Sequence, residues 1–173
     1  MGLRARRVQG WRAGTPVNKG TGLHSRWAAP TFAGLAVALF DQLTKWWALE
    51  ALKDQNIDLF WTLRFHLVRN TGAAFSRGAG LGPFLAIAVV VVVVLVVRYG
   101  AMTVDPVARA AVGVVVGGAL ANLGDRVFRA DEGLLSGAVI DFVDFQWWPV
   151  FNVADAAIVV GGLLIVLRGW SRG

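Results

Sequence analysis

Asp41 and Lys45 are four residues apart, the spacing that brings two side chains to one face of a helix. Asn122 and Asp125 are three apart with Arg126 next, and Asn152 and Asp155 repeat the same N-x-x-D spacing. Asp141 lies in Val139-Ile140-Asp141-Phe142, an acid embedded among apolar residues, and Asp144 follows three residues on. These groups adjoin long uncharged stretches. An ionisable side chain in such a place is costly unless paired, and is a functional candidate by default. The blander alternatives are a helix ion pair for Asp41 with Lys45, and a cap or loop-entry salt bridge for Asn122, Asp125 and Arg126.

Elimination narrows the chemistry. There is no cysteine, so thiol catalysis, disulfides and thiolate metal sites are excluded. Serine occurs at 25, 76, 136 and 171, and a Ser–Lys pair would need Lys45 or Lys53 beside Ser76 or Ser136. The histidines, His24 and His66, stand far apart, which offers neither a histidine triad nor a histidine-rich metal site. Carboxylates remain. Two aspartates sharing a proton can activate water, one as base toward the water and one as acid toward a scissile carbonyl or leaving amine. On spacing alone the two N-x-x-D repeats favour Asp125 with Asp155, while Asp141 is also available.

The elements that position these groups are apolar. The chain of 173 residues is 56% hydrophobic and only 16% charged, against about 25% charged in a soluble domain. One domain of this length cannot bury so much apolar surface, so the excess must face lipid. Spans are expected at about 27–49, 78–97, 106–124 and 151–167. The second, with its valine run 89–94, is the clearest, because about 20 apolar residues cross the hydrocarbon. In lipid a lone β-branched run must be helical. Residues 1–26 carry Arg4, Arg6, Arg7, Arg12, Lys19 and Arg26 without an acid, and are expected to be a flexible basic tail rather than a cleaved signal peptide.

Charge sets the orientation. The basic tail, Arg98, Arg109, Arg168 and Arg172 fall on one side, and the positive-inside rule makes it cytoplasmic, with residues 169–173 as a cytoplasmic end. The other side holds outer loops 50–77 and 125–150. It carries Asp125, Asp131, Glu132, Asp141, Asp144 and Asp155 against Arg126 and Arg129. Trp46, Trp47, Trp147 and Trp148 mark one interface, and Trp27 and Trp170 the other. Phe60, Trp61, Leu63, Phe65 and Leu67, interleaved with Thr62, Arg64 and His66, predict short outer strands. Asn70-Thr71-Gly72 predicts a turn, and Gly133 and Gly137 break the second loop. Asp41, Asn122, Asp125, Asp141 and Asp155 then share one depth, the outer interface.

Five blocks in this order resemble one family. They are Asp41-Gln42-Leu43-Thr44-Lys45, Arg69-Asn70-Thr71-Gly72-Ala73-Ala74-Phe75, Gly117-Gly118-Ala119-Leu120-Ala121-Asn122-Leu123-Gly124-Asp125-Arg126, Val139-Ile140-Asp141-Phe142 and Phe151-Asn152-Val153-Ala154-Asp155. Together they resemble lipoprotein signal peptidase, or signal peptidase II. The resemblance implies an all-α membrane protein of the bacterial cytoplasmic membrane. It would have four transmembrane helices, both termini cytoplasmic, and a small extracytoplasmic β-cradle between helices 1 and 2. It implies an aspartic endopeptidase that cleaves diacylglyceryl-modified prolipoproteins just before the lipidated cysteine, with no cofactor and no metal. Membrane lipids and globomycin-like cyclic peptide inhibitors are the further partners expected, for a monomer. By motif the catalytic pair is Asp141 and Asp155. Asp41, Lys45, Asn70, Asn122, Asp125, Arg126 and Asn152 form the substrate-binding or supporting set, and Asp125 is the runner-up partner.

Other classes make different expectations. A small transporter using the same acids would need polar residues at mid-membrane, and the inner halves of the spans carry almost none. A structural membrane subunit would survive loss of Asp141 and Asp155. A nucleic-acid protein built on the basic tail is contradicted by residues 78–97.

Overall fold

The computed structural model describes residues 22–72, 82–130 and 135–171. Its order is α1 (Gly22–Ala51), β1 (Ile57–Phe60), β2 (Leu63–Asn70), α2 (Gly82–Met102), α3 (Pro106–Phe128), β3 (Val139–Asp144) and α4 (Val153–Trp170). The described residues are thus mainly helical, with one small antiparallel sheet among them. Among the described residues, α3 and α4 are long and apolar enough to cross a membrane, and α2 contains the shorter apolar stretch Ala86–Met102. α1 is as long but carries Asp41, Lys45 and Glu50.

α3 is the central helix, with α1, α2 and α4 each packed on it. Its glycines make this close. A methyl group at Gly113 would strike the Pro30 backbone, one at Gly117 the backbone of Gly34, and one at Gly118 the Ala154 carbonyl oxygen at 2.6 Å. Small residues let helix backbones approach where lipid provides no hydrophobic drive to associate. At one end, Asp105 caps α3 by accepting the Val107 N–H at 2.9 Å and pairs with Arg168 of α4 at 2.8 Å. Arg26 donates to the Ala101 carbonyl of α2 at that same end.

The sheet occupies the opposite end, in the order β1-β2-β3. β1 and β2 form a hairpin that pairs Ile57 with Phe65 and Phe60 with Leu63, turning at Trp61, whose φ is 52°. β2 pairs antiparallel with β3, Phe65 opposite Val143 and Val68 opposite Asp141. Phe142 from β3 packs with Ala48 of α1 and Leu52 just beyond it, while Phe65 and Trp47 meet edge-on at 5.2 Å. That cluster fixes the sheet to the end of α1.

Several expectations are corrected. The third strand comes from the expected outer loop 125–150, so the sheet is not confined to the segment between the first two helices, and it is not closed into a cradle. The reason is Val139-Ile140-Asp141-Phe142-Val143-Asp144, in which both apolar and acidic side chains are buried, leaving no alternation to read. The helices also overrun the expected spans. α1 begins at Gly22 and ends at Ala51, α2 continues past Arg98 to Met102, and α3 runs to Phe128. α4 starts only after its Asn152 cap and reaches Trp170. Residues 1–21, 73–81, 131–134 and 172–173 lie outside the described residues, and with them most of the expected basic tail, Ser76, Asp131, Glu132, Gly133 and Arg172.

Candidate active site

Five elements and one cap converge at the sheet end. α1 supplies Asp41 and Lys45, the end of β2 supplies Asn70, and α3 supplies Asn122, Asp125 and Arg126. β3 supplies Asp141, and the start of α4 supplies Asn152 and Asp155. Apart from Asp144, the polar residues of the motif blocks therefore lie in one neighbourhood.

Asn152 organises the pair of aspartates. It is the N-cap of α4, and its Oδ1 accepts the Asp155 N–H at 2.9 Å while the Asp155 Oδ2 accepts the Asn152 N–H at 3.2 Å. This reciprocal box satisfies N–H groups that a helix start leaves open. The remaining Asn152 Nδ2 donates to Asp141 Oδ1 at 2.7 Å. One residue thus holds both carboxylates, Asp141 through its side-chain amide and Asp155 through its backbone N–H. Asn70 Nδ2 donates to Asp141 Oδ2 at 2.9 Å, and Asn70 Oδ1 accepts the Gly72 N–H at 2.9 Å. The turn expected at Asn70-Thr71-Gly72 is therefore formed, with Gly72 at φ 85°, and it aims the Asn70 amide at Asp141. Asn122 Nδ2 donates to the other Asp155 oxygen, Oδ1, at 2.8 Å.

Asp141, Asp155, Asn70, Asn122 and Arg126 line a cavity of about 380 Å³, whose apolar wall includes Val89 and Val92 of α2 and Ile158 of α4. Arg126 Nη1 is buried and has no hydrogen-bond partner among the described residues. Asp141 is pushed up to about 6, first by burial and then by the nearby Asp155 charge, against the hydrogen bonds from Asn70 and Asn152. Coupling between the two carboxylates is what a shared proton requires. Outside the cavity Asp144 is different. Its burial is outweighed by Arg64, 2.7 Å away, and by the Gln146 N–H, so its carboxyl lies below the usual range.

Asp125 does not join Asp155. It is buried behind the cavity with both oxygens occupied. Oδ2 meets Lys45 Nζ at 2.8 Å and the Ile140 N–H at 3.3 Å; Oδ1 accepts from Gln42 at 3.1 Å and Arg129 at 3.0 Å. Lys45 is fully buried, with Asp41 at 2.7 Å and Asn122 Oδ1 at 2.7 Å as its other partners. Asp41 Oδ1 accepts the Ala154 N–H at 2.8 Å. Sequence reasoning missed Gln42 and Arg129. Arg129 had a signal, standing four residues after Asp125; Gln42 had only its place in the Asp41–Lys45 block. Among the described residues no group of three His, Asp or Glu side chains is arranged to hold a metal ion.

A family model described as signal peptidase (SPase) II matches residues 33–171. The chain belongs to the signal peptidase II family. It is 52% identical over 101 residues to a lipoprotein signal peptidase of Rhodococcus jostii (strain RHA1), covering 58% of this chain and 50% of that one. It is 42% identical over 134 residues to the lipoprotein signal peptidase of Mycolicibacterium smegmatis, covering 76% and 57%. The chain thus matches about half the length of these curated relatives. A solved structure described as a bacterial membrane enzyme superposes with a TM-score of 0.68 at 26% identity, covering 82% of this chain and 87% of that one. This signal peptidase II family member is accordingly a membrane-associated helical protein.

Proposed function

We propose that the protein is an aspartic endopeptidase that removes signal peptides from diacylglyceryl-modified prolipoproteins, cleaving before the lipidated cysteine. Asp141 and Asp155 are its catalytic pair. The observation that carries this reading is that the two carboxylates share Asn152 and face one cavity. Asp141, raised by burial and by the Asp155 charge, is the member of the pair suited to carry a proton and give a hydrogen bond to the scissile carbonyl oxygen. Asp155 takes a proton from the attacking water. Collapse of the tetrahedral intermediate returns a proton to the leaving amine. Asn70, Asn122 and the unpaired Arg126 nitrogen are aimed where the substrate backbone would lie.

The surroundings fit such a substrate. In this reading all four helices cross the cytoplasmic membrane, both termini are cytoplasmic, and the open sheet lies on the extracytoplasmic side of the site. Acyl chains hold the substrate at that interface with about 0.8 kcal/mol per buried CH₂, so the enzyme needs little direct affinity for the peptide. The apolar α2 wall of the cavity also suits a globomycin-like cyclic peptide, and the chain acts as a monomer. The test is processing of a diacylglyceryl-modified prolipoprotein in detergent or liposomes by the wild type, D141N, D155N and D125N. Both D141N and D155N are expected to give no turnover. Full activity in D141N beside an inactive D125N would move the catalytic role to Asp125.

A further inference from the structure

The cavity is lined by five of the polar site residues, whereas Asp41, Lys45 and Asp125 lie behind it with almost no exposed surface. What they touch is specific. Asp125 accepts the backbone N–H of Ile140, the residue before Asp141. Asp41 accepts the backbone N–H of Ala154, the residue before Asp155. Each buried carboxylate therefore grips the chain one residue ahead of one of the two aspartates. Lys45 Nζ sits between the grips, 2.7 Å from Asp41 and 2.8 Å from Asp125. Its remaining contact, Asn122 Oδ1 at 2.7 Å, forces the Asn122 amide to present Nδ2 to Asp155. A lysine ammonium can only donate, so a flipped Asn122 would set donor against donor.

We propose that Lys45 is the positioning residue of the aspartate pair, tying the backbone grip on Asp141 to the backbone grip on Asp155 and thereby fixing the distance between the two carboxylates. This rests on the peptidase reading for its consequence, but the tie itself is a statement about two side chains and their separation. Lys45 reaches no substrate. The α1 helix, which contributes nothing to the cavity lining, is in the site only through Asp41 and Lys45, with Gln42 bracing Asp125. Charge is balanced in the buried layer, because Arg129 also pairs with Asp125. Removing Lys45 alone would leave an uncompensated carboxylate.

The D41N/K45M double variant cuts the tie while leaving both grips chemically available. The amide oxygen at 41 can still accept the Ala154 N–H, and Asp125 keeps Gln42, Arg129 and Ile140. In purified protein its kcat is expected to fall about 100-fold, the cost of a displacement near 1 Å in a catalytic group, while KM hardly changes. A second readout does not need activity. Asp141 is titrated by carboxylate infrared difference spectroscopy, with D141N as assignment, before and after D155N. In the wild-type background D155N lowers the Asp141 midpoint, because a like charge is removed. Lys45 and Arg126 are the other charged groups near this pair. In the D41N/K45M background that response is expected to shrink as the carboxylates separate, because the coupling falls with distance. A KM rise with kcat held, or an undiminished response to D155N with normal kcat, overturns the proposal. D41N alone gives the same signature at lower amplitude if the double variant does not fold. Activity surviving in D141N or D155N would remove the peptidase reading, yet the titration would still decide whether Lys45 holds the pair together.

Discussion

Both oxygens of Asp141 accept side-chain amide hydrogens, one from Asn70 and one from Asn152, and it still titrates near 6 because burial and the Asp155 charge prevail. The Asn70 hydrogen bond stabilises the charged form, so its removal raises the midpoint. In N70A the alkaline limb of kcat, where the pair loses its shared proton, is expected to move to higher pH. A pH–rate profile of wild type and N70A measures it, and an unmoved limb would separate Asn70 from the proton. The same shift is a stability statement. Asp141 binds its proton more tightly folded than at the ordinary 3.8. Its contribution is therefore full below about pH 4 and is lost as pH rises through 6, a loss on the order of 1–3 kcal/mol. D155N removes the neighbouring charge, so the fall in melting temperature between pH 4 and pH 7 should be shallower than in the wild type. Asp144 runs the other way: held below 3.8, it stabilises above that value and loses its contribution as pH falls through its folded midpoint.

Glycine contacts place the elements, and they separate by what a methyl group would meet. At Gly118 it meets the carbonyl of Ala154, the residue before Asp155, whereas at Gly162 it meets nothing within 4 Å. G118A is expected to cost about 1–3 kcal/mol, the range for overpacking, and to reduce kcat by displacing the α4 start. G162A should leave melting temperature and activity nearly unchanged. Unfolding and turnover of the two variants side by side check this, and equal effects would remove the steric account. Gly137 belongs with Gly118, since a methyl there would strike carbonyl groups at the end of α3, where its own N–H donates to Arg126. These packings show what the sequence could and could not disclose. The apolar stretches, the hairpin and the Asn70 turn each leave a local signature, and the motif blocks hold residues that the fold brings near one another. The N-x-x-D repeats misled because spacing reports a face of one helix, not what lies across from it. At 152–155 the repeat is a capping box open to the cavity; at 122–125 it is mid-helix, with Asp125 turned to Lys45 and Ile140. Strand β3 stayed hidden because its acids are buried by partners remote in sequence, Asn70 and Arg64 among them.

Across the whole molecule the two ends differ in kind. One end gathers Arg26, Arg109 and Arg168 around the carbonyls at the end of α2 and of the α2–α3 connection and the carboxylate of Asp105. The other carries the sheet and the aspartates, with Phe60, Trp61, Trp147 and Trp148 exposed around them in the manner of an interfacial aromatic belt. Moving an arginine to the centre of a spanning helix costs about 2.5–3.5 kcal/mol on insertion scales, so the basic end is expected to stay in the cytoplasm and the sheet to face out. Absence of cysteine makes the test clean, because each introduced thiol is the only one in the chain. Asn56 follows α1 at the sheet end and Val104 joins α2 to α3 at the basic end; both are exposed. In intact cells a membrane-impermeant maleimide should label N56C, whereas V104C should react only after permeabilisation. The reverse pattern would put Asp141 and Asp155 on the cytoplasmic side. There they could not meet a prolipoprotein whose lipidated cysteine has already crossed, and the peptidase reading would fail however well the pair is built.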